Sequence, residues 1–420
     1  MTMRTRRLWW GVLVVPLLVA LAPAHPARAS GFLIYDLSGE AIGRGSAVSA
    51  GISEPAAVWF NPAALAFMEG TTASVGGVLV SARSSFSPKV DTAGSGETNS
   101  KRGNFLLPTL FAHSAITDRV AVGMGVFTAF GIGIEWPDAW VGREAAIGAS
   151  LQTVDLNPTV AIRLHPTLSL AAGFNAVHGV VDFNTGLPVL VGGNVRLVGD
   201  AWGFGWNAAA LYRPLPEHLH VALTYRSRVK LDFAGQADFD PNPEFERMLP
   251  DQSGTASITL PDIITLGVMG RPRPELSLGL DVNFVRWSSY DRVDIAFETA
   301  PSRSLEPHGS DTFTVRAGAD LATRLPGLHV RAGLIFDHSA ISAGNLGPGL
   351  PDGNRIDGTV GAGYRRGRYK VDLGYMLVYF LASEATGGRE GPVGTYHSVA
   401  HLLGLTAAAT WGGPSLVAPR

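Results

Sequence analysis

Two histidines near the carboxyl end of the chain are the first candidates for metal chemistry. His397 and His401 lie four residues apart in a segment whose apolar residues alternate with a period of two, so they share one strand face about 13 Å apart. Zinc ligands must each approach one ion to about 2.1 Å. We therefore expect no metal site at this pair, and the absence of cysteine excludes thiolate ligands and a thiol nucleophile.

A group of cations has the chemistry to hold a carboxylate. Arg226, Arg228 and Lys230 alternate within LHVALTYRSRVKLDF, residues 219–233, a spacing that predicts one shared strand face turned to the interior. Because a guanidinium binds a carboxylate through two parallel hydrogen bonds, Arg226 and Lys230 are candidate ligand-binding residues. The alternative is that these cations pair with interior carboxylates, for which the candidates are Asp232, Asp281 and Asp372.

The segment 130–151 is rich in large apolar residues. It reads FGIGIEWPDAWVGREAAIGASL, and an exposed apolar patch of this kind is typical of a binding surface. We expect it to capture an apolar ligand; the alternative is a loop folded onto the rim of the strand scaffold. The apolar candidates are Ile132, Ile134, Trp136, Trp140, Val141 and Ile147.

Strands with a period of two position these residues. In residues 368–381, Tyr369, Val371 and Leu373 alternate with Lys370 and Asp372, which is typical of a strand with one apolar face. Such segments run to ten residues or more, the length that a tilted strand needs to cross a bilayer. Fourteen strands are predicted, at 71–83, 105–116, 119–130, 151–164, 167–178, 195–212, 218–233, 256–271, 275–288, 311–324, 328–338, 355–365, 368–381 and 396–411.

Long and short connections alternate between these strands. The turns are short, as at Thr117-Asp118 and His165-Pro166, whereas the intervening loops are long: 84–104, 131–150, 179–194, 234–255, 289–310, 339–354 and 382–395. Short turns at one end and long loops at the other are typical of outer-membrane barrels, which have an even number of strands. We therefore predict an all-β fold, a 14-stranded antiparallel transmembrane β-barrel over residues 71–411.

The first 29 residues predict a signal peptide rather than part of the fold. Arg4, Arg6 and Arg7 precede an apolar stretch from Leu8 to Ala22, and Ala27-Arg28-Ala29 has the pattern of a cleavage site. We therefore expect the protein to be exported from the cytoplasm.

Residues 30–70 fit no strand and are the available plug for the barrel. Fourteen strands enclose more space than wall side chains alone fill, and this segment contains AVWFNPAALAF, residues 57–67. We expect one helical turn at 57–60, followed by a second that Asn61 caps, with Pro62 and Ala63 in its first turn. The alternative for Asn61 is that it stabilises a turn and has no other role.

Several segments, taken in order, resemble the FadL/TodX (OmpP1) family of outer-membrane transporters of hydrophobic compounds. SGEAIGRGSAVSAG and AAVWFNPAALA resemble the family's amino-terminal plug, and WGFGWNAAALYRP followed by LTYRSRVK is similar to its central strands. LPDIITLG, FVRWSSYDRV and LPDGNRIDGTVGAGYR are similar to later strands. The resemblance covers most of the mature chain, and residues 412–420 continue past Trp411 as a tail.

The resemblance implies passive uptake of long-chain fatty acids or of aromatic and aliphatic hydrocarbons across the outer membrane of a Gram-negative bacterium. It also implies that the ligand leaves sideways, beside a kinked third strand. In this chain the third strand contains Gly123 and Gly125, and glycines mark bends in strands. They either kink the strand or relieve crowding against the plug.

Two other functions are compatible with a barrel. A lipid-modifying enzyme needs a nucleophile and a base on one face, whereas His397 and Ser398 point to opposite faces of their strand. A general diffusion porin would have no plug and a charged constriction loop. We therefore expect a transporter rather than an enzyme, and no cofactor.

The expected partners follow from this interpretation. They are a hydrophobic small-molecule ligand, outer-membrane lipid and lipopolysaccharide, and the barrel assembly machinery during biogenesis. The formal net charge of −2 shows no excess of basic residues of the kind that binds nucleic acid.

Overall fold

The wall of the protein is a closed antiparallel β-barrel in the computed structural model, which describes residues 31–89, 96–387 and 391–412. The first and last strands pair in continuous register from Thr71↔Trp411 to Pro88↔Gly394, which closes the sheet. The predicted signal peptide and the predicted tail beyond Gly412 lie outside the described residues. Among the helices of the described part, none combines the length and the apolar character needed to span a bilayer.

Segments β1 to β21 make up the sheet. They are β1 (Thr71–Pro88), β2 (Thr98–Asn99), β3 (Gly103–Ala115), β4 (Val120–Phe127), β5 (Gly131–Glu135), β6 (Gly148–His165), β7 (Leu168–Gly186), β8 (Asn194–Leu215), β9 (Leu219–Arg226), β10 (Val229–Asp240), β11 (Gln252–Leu260), β12 (Ile263–Arg273), β13 (Leu276–Val285), β14 (Val293–Phe297), β15 (Arg303–Leu305), β16 (Thr312–Ala322), β17 (Leu328–Asp337), β18 (Arg355–Arg366), β19 (Tyr369–Phe380), β20 (Ser383–Ala385) and β21 (Gly394–Trp411).

Several segments join end to end into one wall strand, so the barrel has the fourteen strands that the sequence predicts. The third wall strand is β4 followed by β5, and the seventh is β9 followed by β10. Three predicted strands are therefore interrupted: 119–130 after Phe127, 218–233 after Arg226 and 256–271 after Leu260. Other strands extend further into the predicted loops, as β1 does to Pro88, because pairing with the neighbouring strand continues there.

Side chains alternate between the outside of the barrel and its lumen, as the period of two predicts. Tyr369 and Val371 are 54% and 48% exposed, whereas Asp372 is 1% exposed. The outward row faces the hydrocarbon of the membrane, where apolar and aromatic side chains are stable. The inward row contributes polar groups that need partners inside the lumen.

The amino-terminal segment, residues 31–70, is almost entirely buried and includes three short helices. They are α1 (Gly39–Gly43), α2 (Ala57–Phe60) and a 3₁₀ helix (Pro62–Phe67). Asn61 caps the 3₁₀ helix, since its Oδ1 accepts a hydrogen bond from Ala63 N at 3.1 Å. Its Nδ2 donates to Ser49 O at 2.7 Å. The predicted helical turns and the cap are therefore confirmed.

Hydrogen bonds join the amino-terminal segment to widely separated strands of the wall. They run from Gly39 N to Thr406 Oγ1 at 3.0 Å, from Gly45 N to Thr359 Oγ1 at 3.1 Å, from Ser49 N to Asp281 Oδ2 at 2.9 Å, and from Ser169 Oγ to Ala63 O at 2.7 Å. Because these partners lie on β21, β18, β13 and β7, the segment lies across the lumen rather than along one side of it.

The wall makes room for this segment with a glycine on β16. A Cβ added to Gly318 would lie 2.0 Å from the carbonyl oxygen of Arg44, a distance that two such atoms do not reach. Gly358, by contrast, is an exposed glycine of β18, and a Cβ added there would meet no atom within 4 Å. A substitution at Gly318 therefore tests the packing of the wall against the amino-terminal segment, whereas the same substitution at Gly358 tests only the loss of a glycine from a strand.

An ionic cluster of Glu40, Glu54, Arg331, Lys370 and Asp372 ties the segment to β17 and β19. Lys370 Nζ pairs with Glu40, lies 3.3 Å from Glu54 Oε2 and lies 2.9 Å from Asp372 Oδ2. Arg331 Nη1 lies 2.7 Å from Asp372 Oδ1. Four of the five side chains are buried, and that of Lys370 is 11% exposed. The cluster is located towards the short-turn end of the barrel, since Lys370 follows the turn between β18 and β19.

Two carboxyl groups of the cluster have opposite pKa shifts. Burial alone would raise the pKa of Glu40, but Lys370, Arg331 and Arg44 outweigh it and hold that pKa well below its ordinary value. Burial raises the pKa of Glu54, with a further contribution from the negative charge of Glu40, against the attraction of Lys370. Since the pKa of Glu40 is lowered on folding, its stabilising contribution is present above the ordinary glutamate pKa and is lost as the pH falls from there through the lowered pKa of the folded protein.

Replacing Lys370 by methionine will destabilise the folded protein. Lys370→Met leaves three buried carboxylates without their common cation, and breaking a buried pair in this way costs about 3–5 kcal/mol. Denaturant unfolding in detergent, followed by tryptophan fluorescence, measures the effect. Lys230→Met is the matched control, because Lys230 is exposed and pairs with exposed Asp232. Equal stability of the two variants would contradict the assigned role of the cluster.

Candidate functional site

A cavity of about 650 Å³ lies between the start of the amino-terminal segment and the barrel wall. This main cavity is bordered by β1, β3, β4, β5, β6, β18, β19 and β21, and its volume falls in the ~300–1,000 Å³ range of sites for small organic ligands. Its apolar lining includes Phe32, Leu33, Ile34, Val80, Phe105, Leu107, Phe127, Ile132, Leu151, Leu350, Met376, Val378, Phe380 and Leu402. The chemistry of this lining suits a hydrophobic molecule.

A second, smaller cavity of about 150 Å³ lies next to the main cavity, towards the long loops. The two share Phe32, Ile132, Leu151 and Leu350 in their linings. Among the described residues, the lining of this upper cavity includes no aspartate, glutamate, histidine, lysine or arginine. Together the two cavities form a largely apolar route from the long loops into the barrel, along the inner face of its wall.

The third wall strand leaves the sheet between its two segments. β4 ends at Phe127, and β5 resumes at Gly131. Between them the backbone pairs with the amino-terminal segment, because Ile34 N donates to Ala129 O at 2.8 Å and Gly131 N donates to Phe32 O at 3.1 Å. The interruption is therefore stabilised by hydrogen bonds to residues that also line the main cavity.

This interruption opens a lateral window in the wall. Residues 103–109 of β3 pair with β1, but on their other side the described ladder to the third wall strand begins only at Leu110↔Val126. At the loop end, Lys101 N donates to Glu135 O at 2.7 Å and bounds the window. Pro108 lies within the open stretch, and proline, which has no N–H to donate, is confined to sheet edges and bulges.

A groove of about 520 Å³ lies on the outer face at the same place. It is bordered by exposed or half-buried Lys101, Glu135 and Arg196, and it shares Phe105, Gly133 and Ile134 with the lining of the main cavity. A Cβ added to Gly133 would lie 2.3 Å from Phe105 Cζ, so the ring of Phe105 occupies the space that the glycine leaves. The ring of Phe105 therefore lies where the main cavity and the outer groove meet.

The two glycines predicted to kink the third strand lie before the interruption. Gly123 and Gly125 are both within the regular ladder of β4, paired with β3 and β6. A Cβ on Gly123 would lie 2.6 Å from Leu65 Cδ1 and 2.7 Å from Val58 Cγ2, both in the amino-terminal segment. At Gly123 the structure therefore shows a close contact with the amino-terminal segment, in keeping with the alternative interpretation, and the inward turn begins only after Phe127.

The candidate capture residues of segment 130–151 divide into two groups. Ile132 and Ile134 line the main cavity. Trp136, Trp140 and Ile147 are buried: the two indole rings stack with centroids 4.5 Å apart, and Trp136 Nε1 donates to Pro348 O at 3.0 Å. Their part of the loop folds onto the rim, which was the alternative interpretation.

Exposed apolar residues lie at Val141 of the same segment and on the neighbouring loop. Val141 is 47% exposed, and Val189 and Leu190 of the neighbouring loop are 85% and 83% exposed. The two loops are joined by Val189 N, which donates to Glu144 Oε1 at 3.1 Å. Sequence reasoning missed Val189 and Leu190, although two adjacent large apolar residues in a loop are a signal for such a surface.

Arg226 and Lys230 do not meet in the structure. Arg226 faces inward and is buried, 4.4 Å above the ring of Trp59, where it donates to Asn175 Oδ1 at 2.7 Å. Of the two cavities described above, it lines neither. Lys230 lies on the outer face and pairs with Asp232 at 2.8 Å. Its predicted inward orientation is wrong because the interruption after Arg226 shifts the alternation by one residue.

One end of the main cavity is charged. Asp36, Asp352 and Arg355 border it there, and Asp352 Oδ2 accepts hydrogen bonds from Ser339 Oγ and Ala340 N, both at 2.9 Å. Burial raises the pKa of Asp352 to about 7, against the hydrogen bond from Ser339. Sequence reasoning missed this end because its residues come from the amino-terminal segment, a long loop and β18.

The described residues bring one group of carboxylates close enough to consider a metal ion. Carboxylate oxygens of Glu40, Glu54 and Asp372 lie within 4.8 Å of one another. The ammonium group of Lys370 contacts all three, so a cation already occupies the position that a metal would take. His401 is exposed, and its Nδ1 lies 2.8 Å from Tyr375 Oη.

Comparison with known proteins gives this architecture a family. A model of the family described as outer membrane protein transport protein (OMPP1/FadL/TodX) matches residues 20–411. A protein named long-chain fatty acid transport protein from Escherichia coli K12 is 26% identical, over 87% of this chain and 91% of its own.

Solved structures share the fold. A Pseudomonas aeruginosa FadL homologue superposes with a TM-score of 0.84 at 19% identity, covering 91% of this chain and 100% of its own. The Pseudomonas putida toluene transporter TodX superposes with a TM-score of 0.70 at 16% identity, covering 88% of this chain and 98% of its own. The family match, which extends over most of the sequence, shows that this chain belongs to the OMPP1/FadL/TodX family of outer membrane transport proteins.

Proposed function

We propose that this protein carries hydrophobic molecules passively across the outer membrane of a Gram-negative bacterium and releases them sideways through the lateral window. The observation that carries the proposal is the meeting of the main cavity and the outer groove at Phe105 and Gly133. The apolar upper cavity supplies access from the loops. Such a route needs no energy source, because a hydrophobic molecule moves from water into lipid down its free-energy gradient.

The amino-terminal segment acts as the plug in this proposal. Its residues are buried and hydrogen-bonded to strands on widely separated parts of the wall. The segment would therefore block a straight aqueous path through the lumen and hold back ions. A general diffusion porin would have an open lumen instead. A lipid-modifying enzyme is not favoured either, because the family is one of transport proteins.

The substrates are hydrophobic small molecules. The Escherichia coli relative is named for long-chain fatty acids and the Pseudomonas putida structure for toluene. Ile132 and Ile134 are proposed to contact the ligand, since they line the main cavity. Capture at the surface is proposed for Val141, Val189 and Leu190, which are the exposed apolar residues of two adjoining loops.

The surroundings of the barrel supply further proposed partners. The outward apolar row favours outer-membrane lipid, and the outer groove presents Lys101, Arg102 and Arg196 at the loop end, where the phosphates of lipopolysaccharide would lie. The barrel assembly machinery is proposed as the partner during biogenesis, since the protein is an outer-membrane barrel.

Removing the plug will convert the carrier into an ion-conducting pore. Deletion of residues 31–70 empties the lumen, so a steady ion current is expected in a planar bilayer, where the intact protein shows little. The full-length variant Gly318→Leu is expected to act in the same direction, because its side chain would displace the backbone at Arg44.

Gly358→Leu is the control for that experiment, since its side chain enters open space on the outer face. Heat-dependent mobility in gel electrophoresis verifies that each barrel has assembled. Assembled barrels with the same low conductance as the intact protein would contradict the role of the plug.

Trimming Phe105 will speed lateral release. Phe105→Ala removes the ring between the main cavity and the outer groove, so cells producing it are expected to take up the uncharged dye N-phenyl-1-naphthylamine severalfold faster. Phe105→Trp is expected to slow uptake. Phe313→Ala is the control, because Phe313 is an exposed aromatic residue of β16, away from the window. Equal rates for all variants would count against the window.

A further inference from the structure

We propose that this protein selects uncharged hydrophobic molecules, such as hydrocarbons and their alcohols, and discriminates against carboxylates. The inference rests on the proposed function, since it assumes that the two cavities are the route of the ligand. It concerns the head group of that ligand, and it follows from the charges that border the route.

The described lining of the upper cavity offers an anion no cation. Within the described part of the chain, the lining of the upper cavity is apolar apart from a few neutral polar groups such as Ser150 and Asn345. A carboxylate that enters this space loses water and gains no charged partner, which is strongly unfavourable. A hydrocarbon chain or an alcohol meets a far smaller penalty.

The charged end of the main cavity is surrounded by an excess of acid. Arg355 lies within electrostatic reach of Asp337, Asp357, Asp36 and Asp352. The second cation of this region is Arg316, whose Nη1 lies 3.6 Å from Asp36 Oδ1. Four carboxyl groups therefore share two guanidinium groups, and all four carboxyl groups are buried.

Arg355 is already engaged by its neighbours. Its Nη2 lies 2.7 Å from Asp337 Oδ2. Its Nε lies 3.6 Å from Asp357 Oδ2, which is an ion-pair distance without a hydrogen bond. A ligand carboxylate at this end would compete with these groups and would add a further negative charge among them. A ligand carboxylate and the buried aspartates of this end would repel one another, because little water is present to screen their charges.

Two other cations near the route, Arg226 and Arg83, are held by neutral partners. Arg226 is held by its hydrogen bond to Asn175 and by its contact with the ring of Trp59, and it lines neither cavity. Arg83 borders the main cavity, but its side chain is exposed and its Nη2 donates to Asn99 Oδ1 at 2.7 Å. A hydroxyl group, in contrast, finds acceptors in the main cavity, because Asp352 and the hydroxyls of Ser84 and Ser398 are among its lining.

Competition between ligands of equal chain length tests the inference. The full-length protein in detergent is loaded with N-phenyl-1-naphthylamine, and the dye is displaced by 1-dodecanol or by dodecanoate at about pH 8, where a carboxylic acid is ionised. We expect the alcohol to displace the dye at about a tenfold lower concentration, which corresponds to ~1.4 kcal/mol. Equal or stronger displacement by dodecanoate would overturn the inference while leaving the proposed function intact.

Failure of the dye and both ligands to bind would instead contradict the proposed function. A variant then tests the cause of the selectivity. Asp352→Asn keeps an oxygen that accepts the bonds from Ser339 and Ala340 but removes a negative charge, so dodecanoate is expected to bind more tightly relative to 1-dodecanol. Asp36→Asn is the second variant, should Asp352→Asn fail to assemble.

Asp232→Asn is the matched control, because it removes the same charge from an exposed position on the outer wall. It is expected to leave the ratio of the two affinities unchanged. An unchanged ratio in Asp352→Asn and Asp36→Asn as well would overturn the assignment of selectivity to the acidic end of the cavity.

Discussion

The pairing of backbone hydrogen bonds is the constraint on which this structure depends, because lipid offers no partner to an exposed peptide group. The wall meets it by closing β1 onto β21 over the full length of both strands. The lateral window departs from it along residues 103–109 of β3. It is sustained because the adjoining strand turns inward, where Ala129 O and Gly131 N pair with Ile34 and Phe32 of the amino-terminal segment.

The amino-terminal segment therefore has two attachments with different physical characters. At Glu40 and Glu54 it is held by buried charges of β17 and β19, and removing one partner of such a cluster is costly. At Phe32 and Ile34 it is held by two backbone hydrogen bonds and apolar contacts. The ionic cluster holds the amino-terminal segment in the lumen, while the weaker attachment lies beside the main cavity, where the ligand is proposed to pass.

Much of the wall could be predicted from the sequence, because lipid outside and polar groups inside impose a strict period of two. Tyr369, Val371 and Leu373 show this alternation, and the structure confirms it. The pattern says nothing about where the alternation shifts. After Arg226 two irregular residues intervene before β10, so Val229 faces inward and Lys230 outward, opposite to the prediction.

The candidate site was less predictable, because its parts are distant in the sequence. Trp136 and Trp140 are residue types that are common at binding surfaces, but both are buried here. Their indole rings stack on each other, and Trp136 donates a hydrogen bond to Pro348 O. The acidic end joins Asp36, Asp352 and Arg355, which no local pattern connects. The window had one local signal, Pro108, since proline in a strand marks an unpaired edge.

On the proposed function, a hydrophobic molecule lies in the main cavity, next to the window in the wall. Crystals of the full-length protein soaked with 1-iodododecane locate such a molecule, because the iodine scatters anomalously. We expect iodine within the main cavity, between Ile132 and Phe105 or along the lining towards Phe380. Iodine found only at the short-turn end of the barrel, beside Glu40 and Lys370, would show that the main cavity is not the binding site.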